Sequence, residues 1–285
     1  MKKMENKTHI EGLLYESTLQ ERTNASNGRK FISGKLSIQI SETNIVDVDI
    51  IESEMTKAGV KNKKYDTVKS LIEANSVVNN GAGNATKIKI DSALSVRDWY
   101  FNGQAGTTLR NFNGFIHIVP VVQPSATFEV DMLITSTTEE TKKEGDEIVP
   151  TGALIVNGFI FDFAKKIMPV KFVVDIKEGV EYFSNLEPNT LTKVWGEQVT
   201  QQDKTSKIEK SAFGADKVVE YVTTKKKFII TGTNEEPYEF GEENVLTVDE
   251  VKKALADRNV YLETVKARAQ EEAAPANNTK ADFGW

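Results

Sequence analysis

One pattern constrains this chain more than any other: a series of five strands with a helix after the third occurs twice in succession. Alternation of apolar and polar residues between turn residues marks strands at 9–20, 30–40, 44–53, 86–96 and 109–119. Between the third and fourth, Asp66 is placed to cap a helix over 67–75, with Val68, Leu71 and Ile72 on one apolar face. The second series has strands at 126–136, 152–163, 169–175, 190–200 and 218–231, and a helical stretch at 179–186 again precedes the fourth. The two series match best in their second strands, where residues 32–38 align with 156–162 and set Gly34 over Gly158. A glycine there suits a sharply bent strand, because no Cβ obstructs the corner.

Five strands with a helix after the third is the order of the OB-fold, a small Greek-key barrel whose ligand face lies on strands two and three and on the loops joining strands one to two and four to five. The predicted fold is therefore mainly β, with two OB-like five-stranded barrels in tandem at 1–122 and 123–240. A C-terminal helix at 241–270 and a flexible partner-binding tail at 271–285 follow. Thr247-Val248-Asp249-Glu250 reads as a capping box that opens this helix. Val248, Val251, Leu255, Leu262 and Val265 then fall near one face, which is expected to pack on the second barrel.

Enzymatic chemistry finds little to work with. There is no cysteine, and His9 and His117 are the only histidines. No phosphate-binding glycine loop, zinc-ligand spacing or serine elbow is present. Asp47 with Asp49, and Asp249 with Glu250, are the acidic pairs nearest to a metal site, but the first lies on a strand's polar face and the second in the capping box. A non-catalytic protein without cofactor or metal is expected. The basic N-terminus leads into no signal-like apolar run, and Asn157 and Asp162 interrupt the most hydrophobic stretch, 153–164. These features, with the absence of cysteine, fit a cytoplasmic location.

The net charge of −6 conceals an asymmetry, since residues 1–122 carry 16 Lys and Arg against 13 Asp and Glu, whereas 123–240 carry 14 against 20. Exposed charges act over roughly 8–10 Å, so the local balance decides what a phosphate meets. On the second strand, alternation turns Ile32, Leu36 and Ile38 inward and leaves Phe31 and Lys35 outside. On the fourth, Lys87, Lys89, Arg97 and Trp99 face out; on the fifth, Phe112, Ile116 and Ile118 face in, leaving Asn111, Asn113, Phe115 and His117 outside. The flanking loops add Arg22, Arg29 and Lys30 on one side and Tyr100, Phe101 and Arg110 on the other. Rings interleaved with cations are what an unpaired nucleic-acid strand requires, because bases stack on the rings while Lys and Arg neutralise phosphates. Asp47 and Asp49 oppose this reading with negative charge on the third strand.

The second barrel reads as the poorer surface. Its first loop, 138–147, is net acidic, although Lys204, Lys207 and Lys210 near Phe213, and Lys225-Lys226-Lys227 at the last strand, are basic. Phe159, Phe161 and Phe163 alternate with Ile160, which predicts burial of that strand between the barrels.

The last residues, Lys280-Ala281-Asp282-Phe283-Gly284-Trp285, place two rings beyond the polar spacer 275–279. With OB barrels ahead of such a tail, the chain resembles the single-stranded DNA-binding proteins of bacteriophages and bacteria. The resemblance implies a protein that coats and protects single-stranded DNA in phage replication, recombination or repair. It also implies that Asp282, Phe283 and Trp285 recruit replication or recombination proteins, with homo-oligomerisation left open. Here the tail is only sparsely acidic and ends in Gly284-Trp285 rather than proline-phenylalanine. A virion or tail structural protein made of two β-domains is the alternative.

Overall fold

A computed structural model of the chain describes residues 4–144, 147–211, 213–242 and 245–273. Among the described residues, eleven strands form one continuous hydrogen-bonded system that closes on itself twice. The first closure uses β1 (Asn6–Ser17), β3 (Lys30–Gln39), β4 (Ile45–Ser53), β5 (Lys87–Phe101) and β6 (Gln104–Ile118), with a short β2 (Gln20–Thr23) laid against β3. β1 pairs antiparallel with both β3 and β5, and β4 meets β6 in parallel, which shuts the barrel. The second closure repeats this with β7 (Ser125–Glu144), β8 (Glu147–Phe161), β9 (Ile167–Val174), β10 (Thr190–Glu209) and β11 (Lys217–Thr233). β10 pairs with β7, and β9 meets β11 in parallel. These are the OB-fold pairings, and β1 joins β7 so that the barrels stand side by side.

Each barrel buries the inward residues of its strands. Ile10, Leu14, Ile32, Leu36, Ile38, Val48 and Ile88 fill the first. Phe128, Val130, Met132, Val156, Ile160, Phe172 and Val194 fill the second. Gly34 and Gly158 sit where the second strand crosses the first, and a Cβ on either would collide with the carbonyl oxygen of Thr18 or Leu133. Gly34 also has φ +150°, so a side chain there meets both obstacles.

The helices close the barrel ends. α1 (Lys63–Ser70) begins one turn earlier than the sequence suggests, because Asn62 rather than Asp66 caps it, its Oδ1 accepting from the Lys64 amide at 3.1 Å. Its Val68, with Leu71 just beyond, packs on the first core, and a single turn, α2 (Val77–Asn80), leads to β5. α3 (Lys177–Ser184) holds the equivalent place in the second barrel through Phe183.

α4 (Val248–Ala273) opens with the expected capping box: the Glu250 amide donates to Thr247 Oγ1 at 3.2 Å, and the Thr247 amide to Glu250 Oε2 at 2.9 Å. Val251, Ala254 and Leu255 pack with Met4, Phe159, Phe161 and Leu246 on the outside of the second barrel. Phe159 and Phe161 of β8 therefore lie in a cluster with α4, Met4 and Leu246 and not in the core of either barrel, and Phe163 lies 81% exposed beyond them. Among the described residues no helix is long and apolar enough to cross a membrane.

Three hairpins run further than expected. Residues 97–108 continue β5 and β6 around a two-residue turn at Asn102 (φ 49°) and Gly103 (φ 79°), the geometry that Asn-Gly favours in hairpins. Residues 138–144 and 147–151 form the arms of β7 and β8, and β10 and β11 extend to Glu209 and Lys217. On β6 a bulge at Asn113 (φ 53°) reverses the inside–outside parity. Asn111 is consequently buried, and Phe112, expected inside, carries the Arg110 guanidinium at 4.5 Å from its ring centroid.

Candidate nucleic-acid interface

Beyond the bulge, the β5–β6 hairpin leaves the first barrel and leans over the second, where Leu94 joins the core and Val96 and Leu109 pack against it. A cleft of about 530 Å³ opens between this hairpin, β4, and the β10–β11 side of the second barrel. Its rings are Trp99, Phe101 and Phe228, and its cations are Lys35, Arg97, Arg110, Lys226 and Lys227, against Asp47 and Asp49. Among the described residues, five cations line the cleft against Asp47, Asp49 and the Glu140 that pairs with Lys227, which leaves an excess of positive charge.

A polar seam fixes the cleft's floor. Thr200 Oγ1 donates to the Ile45 carbonyl at 2.7 Å, and the Thr200 amide to Asn44 Oδ1 at 2.9 Å. Asn111 Nδ2 donates to Gln198 Oε1 at 2.8 Å, and Gln198 Nε2 to the Thr127 carbonyl at 3.3 Å. These contacts tie β10 to β4 and β6, so the two walls hold one relative position.

The rings are set by their neighbours. Trp99 faces Gly106 across the hairpin, and its indole lies so close over that glycine that a Cβ would occupy the ring's space. Trp99 Nε1 donates to Thr108 Oγ1 at 3.3 Å, and the ring stays 41% exposed. Phe101, 69% exposed, stands at the hairpin tip. Phe228 is anchored against Phe128 and Phe172, with ring centroids 5.7 Å from each. The far side of the hairpin is clamped to α4: Arg258 donates from Nη2 to Asp98 Oδ1 at 2.6 Å, and Thr107 Oγ1 donates to the same oxygen at 2.6 Å. Only 3% of the Asp98 side chain and 10% of that of Arg258 remain exposed.

The cations differ in how they are held. Lys35 and Lys226 both reach Asp47 Oδ2, at 3.1 and 2.6 Å. Burial pushes the Asp47 carboxyl towards its neutral form, but the Lys226 ammonium, with Ser37 and Lys35, holds it below the usual carboxylate range. Arg110 pairs with Asp49 at 2.9 Å, and Lys227 with Glu140 at 2.7 Å. Arg97 has no ion pair among the described residues.

Of the residues singled out in the sequence, the cleft thus brings together Lys35, Arg97, Trp99, Phe101 and Arg110. Trp99, Tyr100, Phe101 and Arg110 belong to paired strands and not to a loop. Arg22, Arg29, Lys30 and Phe31 lie apart on the β2–β3 flap, where Lys30 pairs with Glu21 at 3.3 Å. Lys87, Lys89, Phe115 and His117 occupy the outer wall of the first barrel; Lys64 Nζ sits 3.8 Å over the Phe115 ring, and Lys87 Nζ donates to the Pro120 carbonyl at 2.9 Å. Lys226, Lys227 and Phe228 come from the barrel expected to be the poorer surface. The run Lys225-Lys226-Lys227 was their only signal, and nothing local tells that it faces β4. Asp282, Phe283 and Trp285 lie outside the described residues, and no group of three or more His, Asp or Glu that could hold a metal occurs among the described ones.

The model of the YorF family matches residues 5–268. Among curated proteins nothing matches the chain. Among solved structures, the wild-type single-stranded DNA binding protein from Thermus aquaticus superposes with a TM-score of 0.51 at 12% identity, over 85% of this chain and 96% of that one. A deletion mutant of the same protein covers 85% of this chain and 98% of its own, at 10% identity and a TM-score of 0.47. At such identity the likeness to the wild-type structure speaks for the fold, an arrangement of OB barrels shared over nearly the whole of that chain.

Proposed function

We propose that this chain, which belongs to the YorF family, binds single-stranded DNA along the cleft between its two barrels. The observation that carries this reading is the meeting of Trp99, Phe101 and Phe228 with Lys35, Arg97, Arg110, Lys226 and Lys227 on facing walls. Unpaired bases offer faces for stacking, worth about 1–3 kcal/mol per base, while the cations neutralise phosphates and release counterions. Duplex DNA hides its base faces and gains little from such rings. The shared fold with a protein described as binding single-stranded DNA supports the same reading.

The two barrels then act as one binding unit, because the seam at Asn44, Asn111, Gln198 and Thr200 fixes the walls that the strand contacts. Arg22, Arg29, Lys30 and Phe31 on the flap, with Tyr100 beside the hairpin tip and Lys87, Lys89, Phe115 and His117 on the outer wall, are proposed as secondary contacts. The role assigned is non-catalytic coating and protection of single strands during phage DNA replication or recombination. Recruitment of partner proteins by Asp282, Phe283 and Trp285 is proposed from the sequence alone.

Titration with a dT oligonucleotide at two salt concentrations tests the reading. Affinity is expected to fall linearly in log–log form with salt; Arg97→Ala should weaken binding and reduce the slope by about 0.7, and Lys227→Ala, whose ammonium is paired with Glu140, should do so by less. A flat salt response, or equal affinity for duplex, would contradict it.

A further inference from the structure

Asp47 and Asp49 are out of place on the wall of a cleft for a polyanion, yet each collects the donors that a phosphate oxygen would need. Asp47 Oδ2 accepts from Lys35 Nζ at 3.1 Å and from Lys226 Nζ at 2.6 Å, while Oδ1 accepts from Ser37 Oγ at 2.7 Å. Two ammonium groups, one from each barrel, thus converge on a single carboxylate. Asp49 Oδ2 accepts from Arg110 Nη1 at 2.9 Å, and that guanidinium is braced on the Phe112 ring. The two aspartates share one face of β4 two residues apart, about 6.7 Å along the strand. That is close to the step between successive phosphates of an extended single strand. The donors also remain reachable, since the Lys35 and Lys226 side chains are half exposed.

On the reading that the cleft takes single-stranded DNA, we propose that Asp47 and Asp49 stand in the free protein where two consecutive backbone phosphates stand in the complex. The carboxylates are internal competitors. They keep Lys35, Lys226 and Arg110 gathered before the ligand arrives, and a strand must exchange one anion for another at each of them. Each paired cation therefore contributes less net attraction than Arg97, which has no ion pair among the described residues, and the carboxylates left nearby repel the phosphates that displace them. A strand presenting two linked phosphates displaces both at once, whereas a mononucleotide displaces only one, so the arrangement favours polymer over free nucleotide.

The test compares the full chain with Asp47→Asn, Asp49→Asn and Asp175→Asn, the last an exposed residue that does not line the cleft. Binding of a fluorescent dT oligonucleotide is measured at two salt concentrations, with a thermal melt of each variant. Asp47→Asn and Asp49→Asn are each expected to bind about 3–10-fold tighter at low salt, with the salt slope steeper by up to about 0.7, while Asp175→Asn stays within about twofold. Asp49→Asn leaves the Lys226–Asp47 bridge in place, so it carries the test where Asp47→Asn loosens the seam. A folded Asp49→Asn variant that binds as the parent does, or more weakly, overturns the proposal and leaves the assignment of the cleft intact. Failure of the parent chain itself to bind the oligonucleotide removes that assignment, and this proposal with it.

Discussion

Replacement of Trp99 by alanine is expected to weaken binding of a dT oligonucleotide by about 1–3 kcal/mol, roughly 5–150-fold, with the melting temperature little changed. The indole is nearly half exposed and fills no barrel core, so its loss leaves the packing of both barrels intact. What it provides is a flat face held over Gly106 and pinned by Thr108. Gly106→Val offers a second route to the same result, because the added side chain forces the ring away while Trp99 itself is retained. Both variants should therefore lose affinity, and Trp99→Phe should recover part of it, since a smaller ring can still stack. Equal affinity of Trp99→Ala and the parent would show that the strand does not pass this ring.

Arg258→Ala is expected to cost about 3–5 kcal/mol of stability, seen as a lowered denaturation midpoint. The cause is less the bridge lost than the carboxylate left behind. Asp98 is almost fully buried between the hairpin and α4, and without Arg258 its charge keeps only Thr107 as a donor among the contacts described. The double variant Asp98→Leu with Arg258→Met, which removes both charges and keeps volume, should recover most of the loss. Function should follow the single variant as well, because α4 backs the hairpin whose opposite face carries Arg97 and Trp99. Faster amide exchange at 96–108 together with weaker DNA binding is the expected signature. A midpoint shift equivalent to less than about 1 kcal/mol would mean that the pair is no clamp.

How far these features could be read from the sequence differs with their range. The repeated strand order was legible because alternation is local, and Gly34 and Gly158 marked the two corners. The capping box at Thr247 and Glu250 was legible for the same reason. The β5–β6 extension was not, because Arg97 to Phe101 mixes charge and aromatic character on both faces. Its one local signal is the Asn102-Gly103 turn. The parity of β6 failed at Asn113, where a bulge inserts a residue that strict alternation cannot anticipate. The cleft itself is non-local: Lys226 reaches Asp47 across 179 residues. Asp47 and Asp49 looked unfavourable in the sequence because their sign was visible and their partners were not.

The central claim, that a single strand lies between the barrels and not on the outer wall of the first, is tested most directly by photo-cross-linking. An oligonucleotide carrying 5-iododeoxyuridine is irradiated in complex with the full chain, and the adducts are mapped by mass spectrometry. Adducts are predicted at Trp99, Phe101 or Phe228. Adducts confined to Phe31 and Phe115, or none above the level seen with a duplex of the same sequence, would contradict it.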